Sequence, residues 1–412
     1  MNSAALGYER KSPLFKNVIL KTQKPRILLF CEYYRPGYKS GGGMRTIANM
    51  VDRMSDRFDF HIITHDHDGN LDTAQYTTVK INEWTTTGYT SVYYISGDNI
   101  RLNVLRKLIL GVRPDAIYSN SFFSPFTRLL LQLRKLRLIP DLQIVIAPCG
   151  ELSDGALQRN ARKKKLFVGI SKAVDLYRNI IWKASTEFEK AEIERIGAKN
   201  ATIFIAPDLP AHHLLADYEQ SSKPTKRSGE VRMVFFSRFV QIKNFKWLLK
   251  HLDGNINGRL VIDLIGPLED PGYWCECQQI IEKLPANIVI NALGPLPHDA
   301  AIREMFKYHF FVLPTLGENF GHVFIEALAA GCPMLISDRT PWLGLAEKGI
   351  GWDLPLEEPQ KWVAALNRCV DMDADAYSQM SAATRAYSVE WLADPAIESA
   401  TEAVLRESLK PH

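Results

Sequence analysis

Two carboxylates and a glycine turn stand close together late in the chain. Glu318 precedes Asn319, Phe320 and Gly321, and Glu326 follows in Glu326-Ala327-Leu328-Ala329-Ala330-Gly331. On a helix, the spacing of the two acids corresponds to a rise of roughly 12 Å. Carboxylates held that far apart on a rigid element could grip opposite ends of one elongated, hydroxyl-rich molecule. The alternative is a capping acid followed by an ordinary surface acid. Gly321 permits close approach of the backbone to a ligand. Upstream, Arg238 and Lys243 flank a loop in Ser237-Arg238-Phe239-Val240-Gln241-Ile242-Lys243-Asn244. Two cations at a strand's end suit a diphosphate, because each offsets negative charge without a metal.

The first half of the chain offers a second set. Gly41-Gly42-Gly43 precedes a helical pattern from Met44 to Met54, with apolar Ile47, Met50, Val51 and Met54. Such a loop can bring amides toward a phosphate or a sugar ring, and Arg45 at the helix start strengthens an anion reading. It lacks the lysine of a triphosphate loop and the spacing of a dinucleotide loop. Pro148-Cys149-Gly150-Glu151-Leu152-Ser153-Asp154 follows an apolar run, so Glu151 is expected at a sheet's carboxyl end. His61, His65 and His67, with Asp66 and Asp68, match no helical zinc spacing, and no metal site is expected.

These residues need elements to hold them. Apolar runs such as Arg26 to Phe30, Phe60 to Thr64, Ile180 to Ala184, Val231 to Ser237, Leu260 to Ile265, Phe310 to Leu313 and Pro333 to Ser337 read as strands. Helices are expected between them, including 122–138, 187–196, 373–387 and 393–409, with Ser185 or Thr186 capping the second. The alternation implies two α/β domains, each a doubly wound parallel sheet, facing each other across a cleft that carries the function. The polar run from Glu219 to Glu230 marks the boundary. The expected plan is an extension over 1–24, a first domain over 25–216, a linker over 217–229 and a second domain over 230–387. Helices near 388–412 complete the first domain.

Composition narrows the classes. With 412 residues, 46% hydrophobic and 23% charged, the chain has the makeup of a soluble globular protein. Residues 1–206 hold 31 Lys+Arg against 19 Asp+Glu, whereas the whole chain carries only +4. A basic first half suits an anionic partner, and Arg159, Arg162, Lys163, Lys164 and Lys165 beside Leu166, Phe167 and Val168 suit an anionic inner-membrane surface. No recognisable nucleic-acid reading module is present, so nucleic acid is not an expected partner. Six cysteines without regular spacing fit a reducing compartment. Neither a signal peptide nor a membrane span is evident, which makes the cytoplasm, at the inner face of the membrane, the expected location.

On these motifs the chain resembles the family 4 retaining glycosyltransferases of the GT-B architecture, two Rossmann-like domains with a terminal helix crossing back to the first. The resemblance covers nearly everything after residue 25. It implies that Glu318 contacts the donor sugar and Glu326 the ribose hydroxyls of the nucleotide. The backbone of Asn319, Phe320 and Gly321 would hold sugar hydroxyls, and Arg238 and Lys243 the donor diphosphate. Gly42 and Gly43 would lie near that diphosphate, Gly294 and Leu296 at the base, and Arg45, Asn120 and Glu151 on the acceptor side. The crossing helix corresponds to Trp391 to Leu409. The expected reaction transfers a hexosyl or N-acetylhexosaminyl group from a UDP- or GDP-sugar to a saccharide or lipid-linked acceptor in bacterial cell-surface glycan synthesis. Configuration is retained, by front-face attack, with no cofactor or metal. The chain departs from the pattern twice. Asn120-Ser121 stands where family members often carry a histidine, and Cys149 where related bacterial members carry arginine. A sugar-nucleotide epimerase and a non-catalytic sugar-nucleotide-binding subunit are the alternatives.

Overall fold

The computed structural model describes residues 24–411 apart from 39, 70–71, 154–155, 158–160, 197–200, 212–213, 215–222, 253 and 255. The expected extension before Lys24 and the first part of the expected linker, residues 217–222, lie outside the described residues.

The first domain runs β1 (Arg26–Phe30), α1 (Gly42–Met54), β2 (Asp59–His65), β3 (Trp84–Thr87), β4 (Thr90–Ile95), α2 (Leu102–Val112), β5 (Ala116–Asn120), α3 (Pro125–Lys135), β6 (Ile144–Ala147), α4 (Ala161–Ala173), β7 (Ile180–Ala184), α5 (Glu187–Arg195) and β8 (Thr202–Ile205). Its sheet has the order β3-β4-β2-β1-β5-β6-β7-β8, and only β3 pairs antiparallel. The central strands β5, β6 and β7 are buried along their whole length. That is why they read as largely apolar runs and not as alternating ones.

The second domain runs β9 (Glu230–Phe236), α6 (Phe245–Lys250), β10 (Arg259–Ile265), α7 (Pro271–Ile281), β11 (Ile288–Gly294), α8 (His298–Met305), β12 (Phe310–Leu313), α9 (His322–Ala329), β13 (Met334–Ser337), β14 (Gly351–Leu354) and α10 (Pro359–Asp371). Its six-stranded parallel sheet has the order β11-β10-β9-β12-β13-β14. In both sheets the order reverses beside the first strand of the domain, and loops at that point open outward at the carboxyl ends, where ligands bind in such folds.

Two helices differ from their expected limits. α3 begins at Pro125, not at residue 122, because Ser124 caps it by accepting from the Thr127 amide. The amides of Phe122 and Phe123 are spent elsewhere, on the Glu151 carboxylate. Near the end of the chain, α11 (Ala374–Ala393) runs without a break across the expected domain boundary at 387. The break comes only at Asp394, which caps α12 (Pro395–Glu407). No glycine or proline interrupts residues 374–393, whereas Pro395 forces the residue before it out of the helical region.

α12 packs on the first domain. Ile397, Val404 and Leu405 join the core formed by β1, β2 and α1. Glu398 pairs with Arg53 at 3.0 Å and also with Arg57. Trp391, at the crossing, touches both cores.

Candidate active site in the interdomain cleft

The carboxyl ends of the two sheets face each other across a cavity of about 240 Å³. Helix α1 begins there at Gly42, and α9 begins there at His322. The first-turn amides of both helices lack intrahelical acceptors, so two positively polarised helix ends meet in one space. Gly41 and Gly321 both adopt φ 75°. At Gly321 a Cβ would lie 2.5 Å from the Phe324 ring, so only glycine makes this turn without displacing the ring.

Arg238 and Lys243 line this cavity with Glu318, Asn319, Phe320 and Gly321. Gly42, Gly43, Arg45 and Leu296 line it too. Lys243 donates to the Glu318 carboxylate, and both side chains are largely buried. Arg238 lies beside Gly41 of the opposite domain, and its guanidinium reaches Glu269 at 3.2 Å. It is 45% exposed, which leaves its charge open to the cleft. Phe320 is buried: its ring packs with Trp342 and with Trp391 of α11, at centroid distances of 5.9 and 5.8 Å. Only its backbone is placed to serve a ligand, and its carbonyl already accepts from the Trp342 indole at 2.8 Å.

Glu326 sits behind the cavity wall. Its Oε1 accepts from Arg45 Nη1 at 2.9 Å and from His298 Nε2 at 2.8 Å. Burial alone would raise this carboxyl. The Arg45 guanidinium and the His298 ring overcome it and hold Glu326 at about 2. The acid is therefore ionised, and His298 Nε2 must carry the proton it shares. Arg45, expected on the acceptor side, lines the cavity and is engaged by Glu326. It crosses from the first domain to the carboxylate expected at the ribose, with its guanidinium 5.9 Å from the Phe236 ring centroid.

The other first-domain candidates are placed differently again. Glu151 accepts from Ser121 Oγ at 2.8 Å and from the amides of Phe122 and Phe123 at 2.7 and 2.8 Å. Burial pushes it up despite these bonds. It secures the loop before α3 and does not face the cavity as expected, because a carboxylate so enclosed finds its hydrogen bonds in the nearest amides. Asn120 lies one layer below the cavity. Its Nδ2 donates to the Gly43 carbonyl at 3.3 Å, and its Oδ1 accepts from Cys149 at 3.0 Å. Gly294 ends β11 and supports the Gly266 turn through its carbonyl, while Pro295 and Leu296 reach the cavity. Of the basic cluster, Arg159 and the side chains of Lys163 and Lys165 lie outside the described residues. Lys164 donates to the Ala156 carbonyl at 2.7 Å. Among the described residues, no group of histidines, cysteines and acids is placed to hold a metal ion.

Several residues of the site are not among the sequence candidates. Lys183, in the middle of β7, is 3% exposed and paired with Asp208. Burial opposes charge on both, yet Lys183 holds the Asp208 carboxyl below its ordinary value, and Asp208 holds the ammonium above its own. Asp208 also accepts from Thr46 Oγ1 at 2.9 Å. The hydroxyl of Thr46 has one proton to share between Asp208 and the Gly42 carbonyl at 3.1 Å, so toward His322 Nε2, at 3.0 Å, it acts as acceptor. Burial depresses His322 to about 4, which keeps its ring neutral at physiological pH. Glu189 makes a further bridge between domains: it accepts from the Gly150 amide at 2.7 Å and from Asn319 Nδ2 at 3.2 Å. One sign was available in the sequence. Lys183 is a charge inside an otherwise apolar strand, and a buried lysine needs an acid partner.

Residues 217–387 match the family described as glycosyl transferases group 1. That range takes in the whole of the second domain. Over 138 residues the chain is 31% identical to EpsF of Bacillus subtilis (strain 168), itself provisionally described as a glycosyltransferase; the match spans 32% of this chain and 34% of EpsF. The whole fold matches solved structures. Sucrose-phosphate synthase from Thermosynechococcus elongatus superposes with a TM-score of 0.66 at 16% identity, over 93% of this chain and 99% of that one. HepE of Anabaena, solved with UDP and glucose, gives 0.67 at 15% identity over 93% and 100%. WaaG, a glycosyltransferase involved in lipopolysaccharide biosynthesis, gives 0.59 at 11% identity over 92% and 98%. The architecture is GT-B.

Proposed function

We propose that the protein transfers a hexosyl or N-acetylhexosaminyl group from a UDP- or GDP-sugar to a saccharide or lipid-linked acceptor, with retention of configuration. The observation that carries this reading is the convergence of Arg238, Lys243 and two helix N-termini on one cleft. A departing nucleoside diphosphate needs its charge met as the glycosidic bond breaks. Fixed donors in a water-poor cleft do that without reorganising. Those cations and amides together can take the charge that a divalent ion would otherwise offset, and on that ground the reaction is proposed to be metal-independent.

In this reading Glu326 holds the ribose, and the Asn319–Gly321 backbone with Glu318 holds the sugar. Glu318 is assigned no nucleophilic role, because its carboxylate is engaged by Lys243. The acceptor enters from the first domain, past Gly43. Closure of the domains excludes water and limits donor hydrolysis.

Place in the cell is part of the same proposal: work at an anionic inner-membrane surface, in the assembly of a bacterial cell-surface glycan. Supporting it, α4 exposes Leu166 at 64% and Ile170 at 55% in the basic domain. Among the described residues, no helix is long and apolar enough to cross a membrane.

The deciding experiment is a screen of UDP-, GDP- and other nucleotide-sugars, with chelator present, reading affinity and nucleotide release together. Selective binding of one donor with slow nucleotide release is the expected result. No binding by folded protein across the panel would overturn the reading.

A further inference from the structure

A second pocket, of about 610 Å³, opens on the opposite edge of the first sheet, where β6 and β7 begin. Arg134, Lys135, Arg137 and Arg178 line it, with Asp141 and Asp175, so cations outnumber acids four to two. Lys135 is already committed, since its ammonium donates to the Val174 carbonyl at 2.6 Å and closes the end of α4. Arg137 and Arg178 have no side-chain partner among the described residues. Arg134 is half satisfied: its Nη2 reaches the Asn179 carbonyl at 3.4 Å, while its Nη1 is buried and donates to nothing in the described structure. A buried guanidinium N–H without an acceptor is costly, and natural structures rarely leave one unless a ligand or ion completes it.

The backbone adds a second sign. α3 ends in a turn where the Leu138 amide bonds to the Leu133 carbonyl at 2.9 Å, and Arg137 stands at the left-handed position with φ 55°. α4 ends the same way at Asp175, φ 50°. Glycine is the residue that fits such a position without strain. Here the chain places an arginine there, with its side chain at the pocket. The strain is compensated if that guanidinium has a ligand to hold.

We infer that this pocket binds a phosphate group. Guanidinium forks match phosphate oxygens in pairs, and three arginines converge here. The phosphate is carried by a soluble phosphate or phosphate ester, or by a lipid headgroup. Beside the pocket, Leu136 is 60% exposed and Val174 43% exposed, and Val174 continues the apolar face of α4. The site lies at the amino ends of strands whose carboxyl ends form the catalytic cleft, so it is separate from the donor diphosphate site. It does not depend on the transferase reading.

The test uses the full chain carrying Arg238→Ala and Lys243→Ala, which weakens the cleft as a competing anion site, with and without Arg137→Ala and Arg178→Ala. Arg137, Arg178 and Arg238 are exposed, whereas Lys243 is largely buried against Glu318, so circular dichroism is used to confirm that each variant retains the folded state. One arm titrates inorganic pyrophosphate, followed by calorimetry. The other measures flotation with phosphatidylcholine vesicles, with and without phosphatidic acid. Loss of pyrophosphate affinity by roughly tenfold or more on removing Arg137 and Arg178 identifies a soluble phosphate. A comparable loss of phosphatidic-acid-dependent flotation identifies a headgroup. Absence of binding in both arms, or binding that the two substitutions leave unchanged, overturns the proposal.

Discussion

Arg45 and Glu326, 281 residues apart in sequence, meet at 2.9 Å across the cleft. The pair ties the first helix of one domain to the glycine-turn helix of the other, with only 16% and 5% of the two side chains exposed. It also occupies the carboxylate that the transferase reading gives to the ribose. Arg45→Met should therefore loosen the unliganded domains and increase the radius of gyration in solution scattering. It should also lower stability by about 1.5–3 kcal/mol, the range for a hydrogen bond to a charged group. Acid should act on the same contact. Glu326 sits at about 2 in the folded protein against an ordinary 4.5, so its stabilising contribution is complete above pH 4.5 and fades as pH falls toward 2. Melting curves between pH 5 and 3 should be flatter for Glu326→Gln than for the native chain; equal slopes would remove the pair from the account.

Arg238 offers a cleaner separation of activity from stability. Its partner Glu269 makes a surface ion pair, and such pairs contribute on the order of 0–1 kcal/mol. Arg238→Ala should leave the melting temperature nearly unchanged while lowering turnover by roughly 100-fold or more, the loss typical of one transition-state donor. Lys243→Ala should differ, because it also strands the largely buried Glu318. A variant of Arg238 with full activity would end its assignment.

Glu32, at the carboxyl end of β1, is raised to about 7 by burial and by the nearby Glu151 charge, with Arg128 partly offsetting them. A carboxyl raised on folding stabilises fully below its unfolded value of 4.5, and that contribution is lost as pH rises through 7. Glu32→Gln should therefore raise the melting temperature at pH 8 and leave it nearly unchanged at pH 4.5. The expected gain is roughly 2 kcal/mol, allowing for partial exposure. An equal effect at both pH values would show that charge is not the cause.

Membrane contact through α4 can be tested on residues whose exposure is defined. Leu166→Glu with Ile170→Glu should cut partitioning to anionic vesicles by roughly tenfold, since each substitution replaces an exposed apolar side chain by a charge of the wrong sign. Partitioning that survives would return this helix to ordinary surface.

The strands and the two-domain plan were legible because β5, β6, β7 and β12 are buried throughout, which leaves apolar runs, unbroken in β6 and β12 and nearly so in the other two. Arg238, Lys243, Glu318 and Gly321 were legible as a group because each sits just past a strand end or opens a helix, where sequence distance and space agree. Arg45, Glu151 and the Lys183–Asp208–Thr46–His322 chain take their places from contacts distant in sequence. The partner of Arg45 lies in the other domain, so its direction depends on how the sheets face each other. Glu151 looked like a presented acid because local spacing does not reveal that the amides before α3 would claim it. Thr46 and His322 are chemically ordinary by themselves, and only the closed cleft makes them neighbours.

α12 has one more consequence, for synthesis. Ile397, Val404 and Leu405 finish a core whose other members lie before residue 210, and the whole second domain is translated in between. The first domain thus leaves the ribosome with part of its apolar surface bare and stays so until the last turns of the chain emerge. A message truncated just past α11 would yield a second domain with its core filled, attached to an uncovered first one, a species to be found with chaperones or in the insoluble fraction and not among active enzyme.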